Sequence, residues 1–427
     1  MEELNSDEYK KIKLISQGTY GCVFKKGLTC DGMVDQTNTI SKIQEKNETS
    51  ENEVKMGKRI MEIPNYQEHF APIIESCEVD ISKIESAEIN KCNFIKSYKN
   101  KDQPLTFHMN KIEYVGNKHL SNYFLALLEN KQNVEKFSGE FMNIFLEISN
   151  KYRILNEEHN IIHMDVKTNN IMINEKKNPI IIDFGLSFDK KELLENKTNL
   201  ELIFFADEPH YAYWCFDIYV INFAIETILL DPKTNEIKDL PVNLEQLKEC
   251  TDIYFEKNIG LDKLLTVQEK NTMKQSHFNY LKKLCNLDNE TQVNTVMWKQ
   301  TINKLIENSV TWDMYGLCIC YLEFFNNLKL KECEEKVEYL CSFKNIVKTN
   351  IMKTPDERGN SIQIIETINE EMHQVSKKEH KKIKTILSGF FKNPINFTER
   401  RQTVKASIEK LNESSKNLQN QKDSNRK

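Results

Sequence analysis

The stretch 163–185 constrains the fold more than any other. It holds two short apolar runs, Ile171–Ile173 and Ile180–Ile182, which read as strands flanking residue 175. The octet His163-Met164-Asp165-Val166-Lys167-Thr168-Asn169-Asn170 ends where the first run begins, and Asp183-Phe184-Gly185 begins where the second ends. Upstream, Phe141, Ile144, Phe145, Ile148, Tyr152 and Leu155 keep one apolar face at helical spacing. The octet therefore lies on a loop between an amphipathic helix and a short strand, with a second polar cluster at the end of the next strand.

The rest of the chain changes character along its length. Residues 10–45 are β-rich: Ile12 and Leu14, then Val23 and Phe24, then Ile40 and Ile43 mark short strands, with a turn signal at Asp31-Gly32. A helical pattern over 48–63 carries Val54, Ile60 and Ile63 and ends near Pro64; strand-like runs follow at Ile73–Val79 and Leu105–Val115. Helix dominates from about residue 118, and 411–427 predicts a disordered tail for want of apolar residues. The Lys-rich run 377–384 reads as a solvated face.

Composition trims the alternatives. The 427 residues are 39% hydrophobic with a formal net charge of −5, enough for a core and too acidic for a dominant nucleic-acid footprint. The longest apolar stretches, Tyr219–Leu230 and Tyr315–Phe325, are broken by Glu226 and Glu323 and fall short of the ~20 residues of a membrane span, so they read as core helices. Eleven cysteines without a Cys-x-x-Cys pair, behind an acidic N-terminus lacking a signal segment, predict reduced thiols and a cytoplasmic location.

Gln17-Gly18-Thr19-Tyr20-Gly21-Cys22-Val23 sits between two candidate strands. Two glycines three apart let a hairpin backbone approach phosphates, although a plain turn uses the same residues. No strand–Gly-rich-loop–helix unit follows, which disfavours a dinucleotide site. The octet is sharper. Phosphoryl transfer needs a carboxylate to orient a hydroxyl, a cation to neutralise phosphate and a metal-holding oxygen. Asp165, Lys167 and Asn170 supply them, and Asp183, thirteen residues after Asn170, supplies a second metal-holding oxygen.

With these motifs in this order, the chain resembles the eukaryotic-type protein kinase family from about Lys13 to Lys410. The resemblance implies an α+β, bilobal fold: a small β-rich N-lobe over 1–112 and a larger helical C-lobe over 113–410. It implies ATP and Mg²⁺ as cofactors and protein substrates as partners, with no nucleic acid and no membrane. Gly18 and Gly21 match the second and third glycines of the family's Gly-rich loop, Ser16 stands at the first, and Val23 lies beneath adenine. Lys42 matches the lysine that pairs the α- and β-phosphates. Glu53 is its candidate partner, with Glu51 as the fallback. Ile112-Glu113-Tyr114-Val115-Gly116 resembles the hinge, where the backbones of Glu113 and Val115 bind adenine. Asp165 matches the catalytic base, Lys167 the γ-phosphate lysine, and Asn170 and Asp183 the magnesium ligands. Lys167 at this spacing follows the serine/threonine pattern.

Departures from the family pattern carry information too. Met164 replaces the arginine that grips an activation-loop phosphate, so order over 186–214 is expected from packing of Leu202, Ile203, Phe204 and Phe205. Gly57 stands where an apolar residue is usual. Asp217 takes the place of the acid closing that loop, with Arg401 as its suggested partner, and Asp313 resembles the start of the buried central helix. That leaves 218–310 as an insertion, read as an appended subdomain and a possible partner surface. The phrases Gly21–Gly32 and Ile63–Ile73 are similar to kinases of large nucleocytoplasmic DNA viruses. A pseudokinase scaffold and a small-molecule kinase remain the alternative readings.

Overall fold

The structure, a computed structural model, describes residues 12–18, 21–26, 28–30, 37–80, 87–99, 106–116, 118–129, 134–206, 208–231, 234, 236–287, 296–327 and 338–371. The Asp31-Gly32 turn, the run 377–384, Arg401 and the tail 411–427 lie outside these residues. Eleven strands are numbered along the described chain: β1 (Lys13–Gln17), β2 (Gly21–Lys25), β3 (Thr39–Gln44), β4 (Phe70–Ala71), β5 (Ile73–Asp80), β6 (Thr106–Glu113), β7 (Lys118–His119), β8 (Ile161–Ile162), β9 (Ile171–Ile173), β10 (Pro179–Ile182) and β11 (Phe188–Asp189). The fold is mixed α+β, with a small sheet region and a larger helical part. It divides into two compact units, Met1–Leu120 with Asn170–Ser187, and Ser121–Asn169 with Phe188–Lys427.

In the first unit β1, β2, β3, β6 and β5 form one antiparallel sheet in that order. Strand alternation sends Cys22, Phe24, Ile43, Phe107, Met109 and Val79 into one core, joined by Ile89, Cys92 and Ile95 from the segment after β5. Two disulfides cross this unit, Cys22–Cys92 and Cys30–Cys77, with Cα separations of 6.1 and 5.9 Å. The expectation of reduced cysteines is corrected for these four. The partners lie 70 and 47 residues apart, so no local spacing announces them. The other six described cysteines form no disulfide among the described residues.

Helix Glu48–Met61 starts at Asn47, whose side chain accepts from the Ser50 N–H while the Ser50 hydroxyl caps the Asn47 N–H in return. Its buried face carries Glu53, Met56, Gly57 and Ile60. Gly57 is small for a reason: a Cβ there would stand 2.6 Å from the Ile73 carbonyl oxygen, because the helix lies directly on the β5 backbone. A second sheet orders β4, β10, β9 and β7. The β9–β10 hairpin pairs Ile171 with Ile181, so Asn170 and Asp183, just outside its two strands, share one end of it.

The second unit is helical. Helix Val134–Tyr152 runs on through a π-helical turn, Arg153–Glu158, and packs with Trp312–Asn327 and Glu338–Met352. The rings of Phe141, Tyr321, Phe325 and Phe343 meet at centroid distances of 4.6 to 6.2 Å. Between residues 218 and 310 lie helices Leu244–Lys257, Ile259–Leu264, Val267–Leu284 and Trp298–Glu307. They share this unit's core. The Tyr254 hydroxyl donates to the Trp214 carbonyl at 3.0 Å, and the Phe216 ring lies 5.2 Å from Tyr254 and 5.3 Å from His277.

Candidate functional site

The side chains singled out in the sequence fall into two groups. Lys42, on β3, donates to both oxygens of Glu53, at 3.0 and 2.9 Å, and to Asp183 Oδ1 at 3.3 Å. Glu51 faces outward instead, 4.0 Å from Lys46. Gln44 is two residues beyond Lys42 on the same strand face, and its amide donates to Glu53 Oε2 at 3.0 Å. Burial opposes the charge on Lys42, but Asp183 and Glu53 outweigh it and hold the ammonium above the usual lysine range. Burial likewise pushes the Glu53 carboxyl up, against the pull of Lys42. A permanently charged ammonium, held by two carboxylates at the middle of a sheet, is suited to binding phosphate oxygens.

Asp183 takes a left-handed backbone conformation, φ 66°, which an L-residue adopts only when its surroundings impose it. The Asn52 amide helps to impose it by donating to the carbonyls of Gly185 and Ser187, at 3.0 and 2.8 Å. The Phe184 ring packs edge-on against Phe70 at 6.2 Å. Asn170 and Asp183 offer hard oxygen donors at one end of the β9–β10 hairpin, a set that suits Mg²⁺, which keeps few protein ligands and completes its shell with water and phosphate.

The strands set the glycines and their neighbours. Gly18 closes a turn, its N–H donating to the Gly21 carbonyl at 2.9 Å, and a Cβ there would meet nothing closer than 4.0 Å. Gly21 has a packing reason as well, since a Cβ would run into the Ile43 carbonyl of β3. Ser16 is exposed on β1 opposite Val23, and Val23 pairs with Lys42. Glu113 ends β6 opposite Thr39. Val115 follows, half-buried, after Tyr114, whose N–H bonds the Asn38 carbonyl at 3.0 Å.

Asp165 and Lys167 belong to the second unit. Lys167 Nζ stands 2.6 Å from Asp165 Oδ2, and the Tyr211 hydroxyl donates to Asp165 Oδ1 at 2.7 Å. The loop that carries them is held from beneath by Asp313. Its carboxylate accepts the N–H groups of His163 and Met164 at 2.8 and 2.9 Å and the Asn156 amide at 2.8 Å. Burial pushes the Asp313 carboxyl up, while His163 and these hydrogen bonds pull it down. Met164, with φ 64°, is buried, and its carbonyl accepts Trp214 Nε1 at 2.8 Å.

Among the described residues Asp217 pairs with Arg358 at 2.6 Å, and both side chains are almost wholly buried, with relative exposures of 0% and 1%; Arg401, the partner suggested from the sequence, lies outside the described residues. Trp312 Nε1 donates to the other oxygen at 2.6 Å. The signal for Arg358 was slight: Pro355-Asp356 opens a turn in which the Arg358 N–H returns to the Thr354 carbonyl. In the loop before Asp217, Ile203 and Phe204 are buried as expected, and Phe204 lies edge-on to Trp312 at 6.1 Å. Leu202 is instead 40% exposed. The Tyr211 contact to Asp165 carries no local sequence signal, because it spans 46 residues.

No family model matches the chain. Two Dictyostelium discoideum proteins are similar to parts of it. The dual specificity protein kinase zakA is 24% identical over 201 residues, 46% of this chain and 20% of zakA. The probable inactive serine/threonine-protein kinase samkD is 32% identical over 105 residues, 21% of this chain and 19% of samkD. The chain spans about a fifth of the length of the curated relatives it matches. The likeness supports a protein-kinase-like family.

Proposed function

We propose that the chain is a protein kinase that transfers the γ-phosphate of ATP to serine or threonine hydroxyls of protein substrates. The observation that carries this reading is the Lys42 ammonium held between Glu53 and Asp183, at 2.9 and 3.3 Å. Such an arrangement keeps a cation charged and aimed while leaving it able to exchange a carboxylate contact for a phosphate. Lys42 would hold α- and β-phosphate oxygens, and the strands around Gly18, Gly21 and Val23 would cover them. The backbones of Glu113 and Val115 would meet the base. Asn170 and Asp183 would hold Mg²⁺, which when bound neutralises phosphate charge. Asp165 would accept a hydrogen bond from the acceptor hydroxyl, with Lys167 beside it to meet the transferring phosphate. Catalysis on this reading is positioning plus charge neutralisation.

The second reading is a nucleotide-binding scaffold without transfer. It is favoured by one specific observation, that the similar samkD is described as a probable inactive kinase. Ser16 and Met164 fit it as well. Intact Lys42, Glu53, Asp165, Asn170 and Asp183 favour catalysis. Thermal shift with ATP, with and without Mg²⁺, read beside incorporation of labelled phosphate into a protein acceptor, separates the two. The kinase reading expects both a shift and incorporation, each weakened in Asp183→Asn. A shift without incorporation would establish the scaffold.

A further inference from the structure

Two tyrosine hydroxyls of the segment 208–214 are committed to carboxylates. Tyr213 donates to Glu323 Oε2 at 2.7 Å and Tyr211 donates to Asp165 Oδ1 at 2.7 Å. We propose that Tyr211 is a positioning residue, whose hydroxyl fixes the Asp165 carboxylate in the orientation that receives an acceptor hydroxyl. This inference rests on the kinase reading above.

Three observations support it. First, the Asp165 carboxylate is gripped from two directions. Lys167 Nζ holds Oδ2 at 2.6 Å from two residues away on the same loop, and Tyr211 holds Oδ1 from a segment 46 residues on. A lysine on the same loop moves with that loop, whereas Tyr211 ties the carboxylate to a separate segment of the fold. Second, Tyr211 is itself immobilised. Its ring lies 5.2 Å from Trp214 and 5.3 Å from Tyr213, both near edge-on. Its N–H donates to the Glu208 carbonyl and its own carbonyl accepts from the Trp214 N–H, each at 3.1 Å. Third, the same segment fastens the catalytic loop again one residue earlier, through Trp214 Nε1 on the Met164 carbonyl. Beneath both runs helix Trp312–Asn327, where Gly316 leaves room for Val166 and for the Tyr213 carbonyl; a Cβ at 316 would stand 2.9 Å from Val166 Cβ.

The geometry favours positioning over blockade. A packed phenol is a poor gate, since its ring would have to give up its contacts with Tyr213 and Trp214 to leave. Burial, and then the Asp165 carboxylate, push the Tyr211 hydroxyl well above the usual phenol range, so it acts as a donor throughout the working pH range.

The test compares the 427-residue chain as wild type, Tyr211→Phe, Asp165→Asn and the double variant, assayed with ATP, Mg²⁺ and a serine peptide. Tyr211→Phe removes one oxygen and keeps the ring. The expected result is a kcat lowered about 10- to 100-fold, the scale on which a misplaced catalytic group costs rate. The KM for ATP should stay within about twofold of wild type. In the Asp165→Asn background, Tyr211→Phe should have no further effect, because residues acting as one unit are not additive. An unchanged kcat would overturn the inference, as would a raised kcat, which would mark the phenol as a blockade. An equal loss in both backgrounds would reduce Tyr211 to a packing residue. The kinase reading fails separately: wild type then transfers no phosphate, whereas failure of this inference alone leaves wild type active, Asp165→Asn inactive and Tyr211→Phe unaffected.

Discussion

Replacing Arg358 with Met strands the buried Asp217 carboxylate. In the native chain Asp217 Oδ1 meets Arg358 Nη2 at 2.6 Å and Oδ2 meets Trp312 Nε1 at 2.6 Å, with no solvent exposure of Asp217. After Arg358→Met only the neutral indole donor remains of these two. Breaking a buried pair from one side typically costs about 3–5 kcal/mol. The single variant should therefore lose about 3–5 kcal/mol at pH 7. The double variant Asp217→Asn/Arg358→Met keeps an acceptor for Trp312 and buries no charge. It should recover most of the loss, because Arg358 Nε and Nη1 find no hydrogen-bond partner among the described residues even in the native pair. Urea unfolding of the wild type and both variants at pH 7, followed by circular dichroism, measures this. A single-variant loss below about 1 kcal/mol, or a double variant as unstable as the single, would refute the argument.

Three further outcomes follow from other contacts. Gly57→Ala should destabilise by about 1–3 kcal/mol in thermal unfolding, although alanine is the better helix former, because its Cβ would meet the Ile73 carbonyl at 2.6 Å; a rise in Tm would contradict the close helix–strand approach. Burial, opposed by the Tyr213 hydrogen bond and Lys263, raises Glu323 to about 7. The folded state therefore holds a proton there that the unfolded state has lost, and stability falls as pH rises from about 4.5 to 7. Glu323→Gln should remove roughly 2 kcal/mol of that fall, and an unaltered slope in denaturant titrations at pH 5 and 8 would refute the assignment. Excising 235–300 should abolish cooperative unfolding of the helical unit rather than leave it intact, since Tyr254 and His277 pack on Phe216; a soluble variant with native Tm would show that the insertion is separable.

The strands and helices around the candidate site were legible because each is specified locally. Alternation in β2 and β3, the Asn47 cap and the two apolar runs on either side of residue 175 all lie within a few residues of what they determine. The glutamate register was narrower than the sequence alone could make it, and burial decides it: Glu53 faces the sheet and Glu51 faces outward. What stayed illegible depends on long separations. The Cys22–Cys92 and Cys30–Cys77 bonds, the Arg358 partner of Asp217 and the Tyr211 contact to Asp165 each join segments between 46 and 141 residues apart. Gly57 was misjudged for a related reason. A helix pattern shows which side faces inward but not how near the neighbouring backbone lies.

The central claim is that Asp165 orients a protein hydroxyl for phosphoryl transfer, and one measurement tests it most directly. Wild type and Asp165→Asn, matched for Tm, are incubated with Mg²⁺ and γ-labelled ATP on an array of serine, threonine and tyrosine peptides. The account predicts label on serine and threonine peptides from wild type and a loss of about 100-fold or more in the variant, the scale of removing a positioned acid–base group. Equal labelling by both proteins, or none by a wild type that binds ATP, would contradict it.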